Sequence, residues 1–391
     1  DVTRKYQCHS MRKSLVSALF GIAADRGEID LGASLGELGI DDRPPVLSEI
    51  EKTATVLDLL TARSGVYHPA LSESREMKAR RPARHSHPPG SFWYYNNWDF
   101  NALGTIYEKT AGVRIFDAFA RQIAEPVGMQ DFFASDGWYA RGAASMHPTY
   151  KFRMSTRDLA RFGLLYLRGG RWEEHQVVPA DWVAASTRPH STVGFRRGYG
   201  YMWWTLDSGS RLANVRLPEA AYYAAGYRGH RIFLFPGRDL LVVHRVNTDL
   251  PEGGAWCDGL APTIDNRRIG RLLWAILDAA GIGEIGPNPS WSAAPGERLD
   301  AEGIRALLSR HAIDMEAGLR FAAYTDGRCA IFRQGVAVEN GRWWVEDDLL
   351  CSRWPGTGGE IVRRYHLATE GALIRRYETD GTLVGEGRLI E

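Results

Sequence analysis

The chain has 391 residues, of which 44% are hydrophobic and 24% charged, and its formal net charge is +1. This length and hydrophobic content allow a large buried core and more than one domain. The near-neutral charge gives no basic field for nucleic acid, and no apolar run approaches the length that spans a bilayer. The cysteines are too dispersed for a zinc knuckle, and their spacing leaves pairing and redox compartment open: Cys8, Cys257, Cys329 and Cys351.

The stretch from Cys8 to Ala24 predicts a buried helix that starts at a serine. Ser10 can cap the helix, and apolar residues follow it at helical spacing. Lys13 lies three positions later, so the two side chains share one face of the helix. A serine becomes a good nucleophile when a lysine that burial keeps neutral takes its proton. The alternative is a capping serine beside a lysine whose amine reaches solvent.

A second short helix is predicted over residues 54–65, where Gly65 stops it. The polar stretch from Tyr67 to Gly90 predicts a long surface excursion. It contains His85 and His87, but no acidic or thiol partner accompanies them at metal-ligand spacing. We therefore expect solvated histidines and no metal site.

Aromatic residues crowd the stretch from residue 90 to 104, where a turn leads into a further helix. Such a turn places tyrosine and asparagine side chains toward a cleft. Two overlapping frames fit a Tyr-x-Asn pattern, one with Tyr95 and Asn97 and the other with Tyr94 and Asn96. Phe92 is expected to pack in the core, since large aromatic side chains are mostly structural.

Residues 222–236 and 239–246 predict antiparallel strands joined by a turn at Pro236-Gly237. Gly226, which lacks a side chain, allows a backbone N–H to approach a bound carbonyl group. Helices such as the one predicted over residues 156–167 precede these strands. The order of helices followed by an antiparallel sheet is typical of the α+β class.

The composition shifts after residue 282. Residues 283–315 are predicted to form a linker and a short helix capped by Asp300. Residues 316–391 contain short alternating segments separated by turns, which favours an antiparallel β-meander or a lipocalin-like half-barrel. No catalytic constellation lies there, so we expect a structural or binding role for this domain.

Three separated motifs resemble those of the serine β-lactamase and penicillin-binding-protein superfamily, namely Ser10-Met11-Arg12-Lys13, Tyr95-Asn96-Asn97 and the strand around Gly226. The resemblance covers residues 7–282. It is closest to the class C-like hydrolases, which include family VIII-type carboxylesterases, D-aminopeptidases and 6-aminohexanoate-dimer hydrolases. It implies a β-lactamase/DD-peptidase-like antiparallel sheet with a helical region over residues 1–282.

The resemblance also implies roles for individual residues. Ser10 corresponds to the acylated nucleophile, Lys13 to its proton acceptor and Tyr95 to the second acid and base. Asn97 corresponds to the residue that orients substrate or lysine. Backbone N–H groups of Ser10 and Tyr227 are implied to hold the oxyanion.

The sequence departs from the superfamily pattern at two places. The third motif of β-lactamases begins with a basic residue, whereas this chain has Ala224-Ala225-Gly226. The departure argues against an efficient β-lactamase, although His230 is a candidate substitute. Only nine residues precede Ser10, which suggests a fragment or a removed segment. Tryptophans are candidates for an apolar wall of the cleft: Trp93, Trp98, Trp203 and Trp204.

We expect a serine hydrolase that acts through an acyl-enzyme on a small-molecule ester or amide, without a cofactor. Two alternatives stay open at this point. One is a protein of the same fold that binds acyl ligands or senses them without turnover, and the other is a β-lactamase or D-amino-acid peptidase. The sequence leaves the oligomeric state open, and only the resemblance suggests export.

Overall fold

The computed structural model describes residues 1–194, 196–212, 215–217, 219–248, 266–281, 297–309, 311–315, 319–334, 336–346, 349–356, 359–370, 373–377 and 383–390. The chain forms two compact units, of which the first comprises Asp1–Ser210 and Glu219–Asp265. The second comprises Arg211–Pro218 and Asn266–Glu391. The expected boundary at residue 282 differs from this division, and the linker expected over residues 286–296 lies outside the described residues.

Helices surround one buried central helix in the first unit. The described helices are α1 (Arg12–Asp25), α2 (Val56–Leu60), α3 (Arg75–Arg80), α4 (Asn97–Ala111), α5 (Ile115–Phe119), α6 (Thr156–Leu167) and α7 (Ala180–Ser186). Every residue of α1 from Arg12 to Ala23 is buried. A helix that is apolar on nearly all sides is stable only inside a core, so α1 is the central helix of this unit. Its burial agrees with the prediction.

Antiparallel sheets form the rest of the first unit. The strands that come before residue 250 are β1 (Tyr6–Gln7), β2 (Gly137–Ala140), β3 (Thr149–Met154), β4 (Arg171–Trp172), β5 (His175–Gln176), β6 (Ser191–Gly194), β7 (Arg197–Tyr199), β8 (Trp204–Leu206), β9 (Arg211–Leu212), β10 (Val215–Arg216), β11 (Ala221–Ala225), β12 (Arg231–Phe235) and β13 (Leu240–His244). The largest sheet has the order β13-β12-β11-β8-β7-β6, and β1-β3-β2 form a smaller one. The β9–β10 hairpin belongs to the second unit. The predicted pairing across the Pro236-Gly237 turn is confirmed, since Phe235 pairs with Leu240 in antiparallel register. The segment predicted over residues 222–236 forms two strands, β11 and β12, in which Tyr222 pairs with Leu234.

The second unit is built on a closed ring of strands. Its further elements are α8 (Asn266–Ala279), β14 (Glu297–Arg298), α9 (Ala301–Leu308), β15 (Ala312–Met315), β16 (Leu319–Ala323), β17 (Arg328–Arg333), β18 (Val336–Glu346), β19 (Leu349–Gly356), β20 (Gly359–Glu370), β21 (Leu373–Tyr377) and β22 (Leu383–Ile390). Each strand from β15 to β22 pairs with the next, and β22 pairs with β15. The half-barrel prediction is therefore corrected to a full ring, because pairing of Ala312 with Ile390 closes it.

Asp300 caps α9 as predicted, since its side chain accepts a hydrogen bond from Gly303 N. Ile304 and Leu308 of α9 are buried in the apolar core of this unit. The helices and antiparallel sheets of the two units confirm the α+β class. None of the helices in the described part of the chain is both long and apolar enough to cross a membrane.

Asp158 ties helix α6 to the segment that precedes β2. Its buried carboxylate accepts backbone N–H bonds from Gln130 (3.0 Å), Asp131 (3.0 Å) and Phe132 (2.8 Å). Ser155 caps α6 by accepting a bond from Asp158 N. One buried side chain therefore satisfies three backbone donors of a segment without regular secondary structure, of which the Phe132 N–H is buried and the other two are partly buried.

We expect Asp158→Ala to lower the free energy of unfolding of the first unit by about 2 kcal/mol or more, because a buried donor left unpaired costs about 1–3 kcal/mol and two partly buried N–H groups also lose a carboxylate partner. Urea denaturation followed by tryptophan fluorescence measures the change. Asp181→Ala, on the exposed first turn of α7, is the control and costs less than about 1 kcal/mol. Equal losses for the two variants contradict the assignment.

Candidate active site

A buried lysine joins the two segments that the sequence singled out. Lys13 Nζ donates hydrogen bonds to Ser10 Oγ (2.9 Å) and to Tyr95 Oη (2.8 Å). Lys13 is 1% exposed, so its amine does not reach solvent. Ser10 lies in a 3-10 turn, and α1 begins at Arg12 without a side-chain cap. The capping-serine alternative is therefore wrong.

The surroundings of Lys13 favour its neutral form. Burial lowers the pKa of the Lys13 amine well below its usual value, and the positive charges of Arg12 and Lys151 lower it further. Arg12 is itself buried, packs over the ring of Tyr150 and donates from Nη1 to His9 O (2.9 Å). Its Nε and Nη2 find no hydrogen-bond partner within the described residues. This guanidinium is a like charge held beside the amine.

Tyr95 is fixed by aromatic side chains. Its ring stacks on Trp204, with centroids 5.5 Å apart, and also contacts Phe100 and Tyr199. Burial raises the pKa of the Tyr95 phenol, so the hydroxyl keeps its proton. The structure places Tyr95 rather than Tyr94 beside Lys13, because Tyr94 Oη donates to Met77 O (2.7 Å).

The two asparagines at the start of α4 form hydrogen bonds with backbone groups. Asn96 caps the helix by accepting a bond from Trp98 N (3.1 Å). Asn97 donates from Nδ2 to Ser72 O (2.7 Å), and its buried Oδ1 has no hydrogen-bond partner in the described part of the chain. Asn97 therefore supports the loop at Ser72 in this structure, and it is not hydrogen-bonded to Lys13.

Two of the predicted substrate-contacting residues are core residues. Trp98 is fully buried and donates from Nε1 to Asp42 (2.7 Å), so it does not line a cleft. His230 is also fully buried, behind the turn that follows β11. Both predictions are corrected, because sequence alone does not distinguish a buried aromatic ring from one at the wall of a cleft. Trp203 is buried as well, whereas Trp93 is partly buried and packs against Trp204.

Gly226 brings the end of β11 against the turn that carries Ser10, residues His9–Met11. A Cβ atom at this position would lie 2.8 Å from Cys8 O and 2.9 Å from His230 Cβ, which is too close for any side chain. Its own N–H donates to His230 O (2.8 Å), so it is not the donor expected for a bound carbonyl. The following residue, Tyr227, is 50% exposed and meets the His9 ring edge-on, with centroids 5.8 Å apart. The structure thus brings Ser10, Lys13 and Tyr95 together and sets Tyr227 beside the same turn.

Sequence reasoning missed several residues around this cluster, chiefly Arg12, Lys151 and Thr248. Arg12 lies inside the first motif, so its position was available as a signal. Lys151 and Thr248 come from distant segments that carry no motif. Within the described residues, no group of three histidine, cysteine or acidic side chains is placed to hold a metal ion. His87 stacks on Phe92, with centroids 4.0 Å apart.

Comparisons with known proteins identify the family of this chain. The family model described as Beta-lactamase matches residues 4–255. An uncharacterized protein of Alkalihalophilus pseudofirmus is 22% identical over 274 residues, which cover 64% of this chain and 76% of that protein.

One solved structure with a TM-score above 0.5 shares the fold, and a second shows a weaker likeness. The octameric penicillin-binding protein homologue from Pyrococcus abyssi is 17% identical, with a TM-score of 0.53 over 100% of this chain and 89% of its own. A penicillin-binding protein from Bacillus halodurans has a TM-score of 0.45 at 17% identity, over 62% of this chain and 82% of its own. The family model covers most of the chain, and it spans the residues that form the Ser10, Lys13 and Tyr95 cluster. The chain therefore belongs to the β-lactamase family, whose fold is that of serine hydrolases.

Proposed function

We propose that the protein is a serine hydrolase that cleaves esters or small amides through an acyl-enzyme on Ser10. The observation that carries this proposal is the Lys13 amine, which contacts both the Ser10 hydroxyl and the Tyr95 phenol. A neutral lysine accepts the serine proton, and the serine oxygen then attacks the substrate carbonyl. The resulting oxyanion is held by the backbone N–H groups of Ser10 and Tyr227.

The tetrahedral intermediate collapses when its leaving group receives a proton. The Tyr95 phenol supplies that proton and regains one from Lys13, so the alcohol or amine departs neutral and Ser10 carries the acyl group. A water molecule then loses a proton to the same pair and attacks the acyl carbonyl, which releases the carboxylic acid and restores the serine hydroxyl. Bonds and protons balance over the two steps without a cofactor.

The choice of an ester or small amide rests on the third motif. Residues 224–226 carry no cationic side chain to meet a substrate carboxylate, which disfavours β-lactams and peptides with a terminal carboxylate. Trp204 stacks on Tyr95 and Trp93 packs against Trp204, which supplies apolar surface near the reacting groups. Compact hydrophobic acyl groups fit this environment best.

We expect Tyr95→Phe to lower kcat for p-nitrophenyl butyrate by about 10²–10⁴-fold with little change in KM, because it removes the hydroxyl that transfers the proton. Tyr94→Phe is the matched control, since its hydroxyl binds Met77 O and not Lys13. Initial rates measured over a range of ester concentrations test this. Equal kcat values for the two variants contradict the assigned role, and faster turnover of a chromogenic cephalosporin than of the ester contradicts the substrate class.

The pH dependence of kcat/KM tests the state of Lys13. Activity requires the neutral amine, so kcat/KM falls as the pH drops through the pKa of Lys13, and this fall is the acid limb of the profile. Burial lowers the pKa of Lys13, so the acid limb lies well below pH 10.5, the usual lysine pKa. Arg12→Met removes a like charge, raises the pKa of Lys13 and moves the acid limb to higher pH. Arg153→Met, an exposed change on β3, leaves the limb in place. A limb that does not move in Arg12→Met contradicts this electrostatic role.

A further inference from the structure

The hydroxyl of Thr248 lies between two buried histidines that come from opposite sides of the site. Thr248 Oγ1 is 2.7 Å from His9 Nε2 and 3.2 Å from His230 Nε2. All three side chains are buried: Thr248 is 3%, His9 8% and His230 0% exposed. A buried hydroxyl held between two imidazoles requires a definite arrangement of protons.

Arg245 fixes that arrangement. Its Nε donates to His230 Nδ1 (2.9 Å), and a guanidinium N–H can only donate. A neutral His230 therefore carries its proton on Nε2 and donates it to Thr248 Oγ1. The threonine hydrogen is then free to donate to His9 Nε2, so His9 carries its proton on Nδ1. The bonds run in one direction, from Arg245 through His230 and Thr248 to His9.

Both histidines stay neutral over the working pH range. Burial lowers the pKa of His9 to about 3, with further contributions from Lys151, Arg12, Arg245 and Arg228. Burial and the charge of Arg245 are the main causes that lower the pKa of His230 to about 2, and His9, His244 and Arg231 add to the effect. The hydrogen bonds therefore run in the same direction, from Arg245 to His9, at any pH at which the protein is expected to work.

This series of hydrogen bonds, from His230 through Thr248 to His9, joins the two segments that supply the proposed oxyanion donors. His9 directly precedes Ser10 and has a left-handed φ of 48°, which a non-glycine residue keeps only when its surroundings enforce it. His230 ends the turn that contains Tyr227, and its carbonyl accepts the N–H of Gly226. Arg245 adds a bond from Nη2 to Tyr6 O (2.8 Å), in the strand before the turn that carries Ser10.

We infer that Thr248 and His230 are positioning residues, whose hydrogen bonds set the distance between the N–H groups of Ser10 and Tyr227 that receive the oxyanion. This inference rests on the proposed hydrolase function. Oxyanion donors act only when they lie about 2.7–3.1 Å from the developing charge, so loosening one segment against the other lowers transition-state stabilisation more than substrate binding.

Thr248→Val and Thr248→Ser form the test pair. Valine has the shape of threonine but leaves both Nε2 atoms unpaired, and we expect kcat to fall about 10–100-fold with KM changed less than about threefold. Serine restores the hydroxyl and keeps kcat within about threefold of the parent protein. Thr61→Val, which removes a buried hydroxyl bound to Leu57 O, is the control for loss of a buried hydrogen bond.

Affinity for a trifluoromethyl ketone separates positioning from a merely structural effect. This inhibitor forms a tetrahedral adduct, so in Thr248→Val its affinity should fall in proportion to kcat/KM. An unchanged inhibitor affinity, or equal kcat values for the valine and serine variants, overturns the inference.

Nitrogen-15 NMR of histidine-labelled protein gives a readout that does not depend on turnover. We expect His230 protonated on Nε2 and His9 on Nδ1, and Thr248→Val should shift both Nε2 resonances. Reversed tautomers in an active enzyme overturn the proposed direction of these hydrogen bonds and leave the hydrolase function standing. A further outcome is a parent protein that shows the expected tautomers and yet hydrolyses no ester and reacts with no fluorophosphonate. That result contradicts the proposed hydrolase function, and with it the positioning role.

Discussion

Burial of the Lys13 amine is the constraint on which the rest of the site depends. A lysine inside a core loses hydration, and only its neutral form is inexpensive to keep there. Helix α1 supplies that burial because it is packed on all sides, and the cap at Asn96 fixes the start of α4 so that the Tyr95 hydroxyl reaches the amine. The same packing that stabilises the first unit thus keeps the base unprotonated.

The charges around Lys13 act in the same direction as its burial. Arg12 is a buried cation beside the amine. Burial, with a further contribution from Arg12, lowers the pKa of Lys151 to about 7, so Lys151 adds positive charge chiefly below that pH. Burial is the main cause that lowers the pKa values of His230 and His9, the charge of Arg245 adds to it, and the Arg245 hydrogen bond to Nδ1 orients His230. Positive charge near Lys13 therefore lowers the pKa of its amine, and a cationic side chain, Arg245, sets the tautomer of His230 by donating a hydrogen bond to it.

Local patterns predicted the parts of this site that are local in sequence. The pair Ser10 and Lys13 could be predicted because residues three apart share a helix face. The family resemblance favours Tyr95 over the competing Tyr94 frame, and the hydrogen bond between Lys13 and Tyr95 agrees with that choice. Trp98 was assigned wrongly because its partner Asp42 lies far away along the chain. Thr248 carries no motif, and closure of the ring in the second unit depends on pairing of its first and last strands, which no local signal encodes.

The central claim is that Ser10 is an activated nucleophile, and covalent labelling tests it most directly. Intact mass is measured after incubation of the folded protein with a fluorophosphonate, and peptide mapping locates the adduct. We expect one adduct, on Ser10, in the parent chain and none in Ser10→Ala. A folded parent chain that gains no mass, or an equal gain in both proteins, would contradict it.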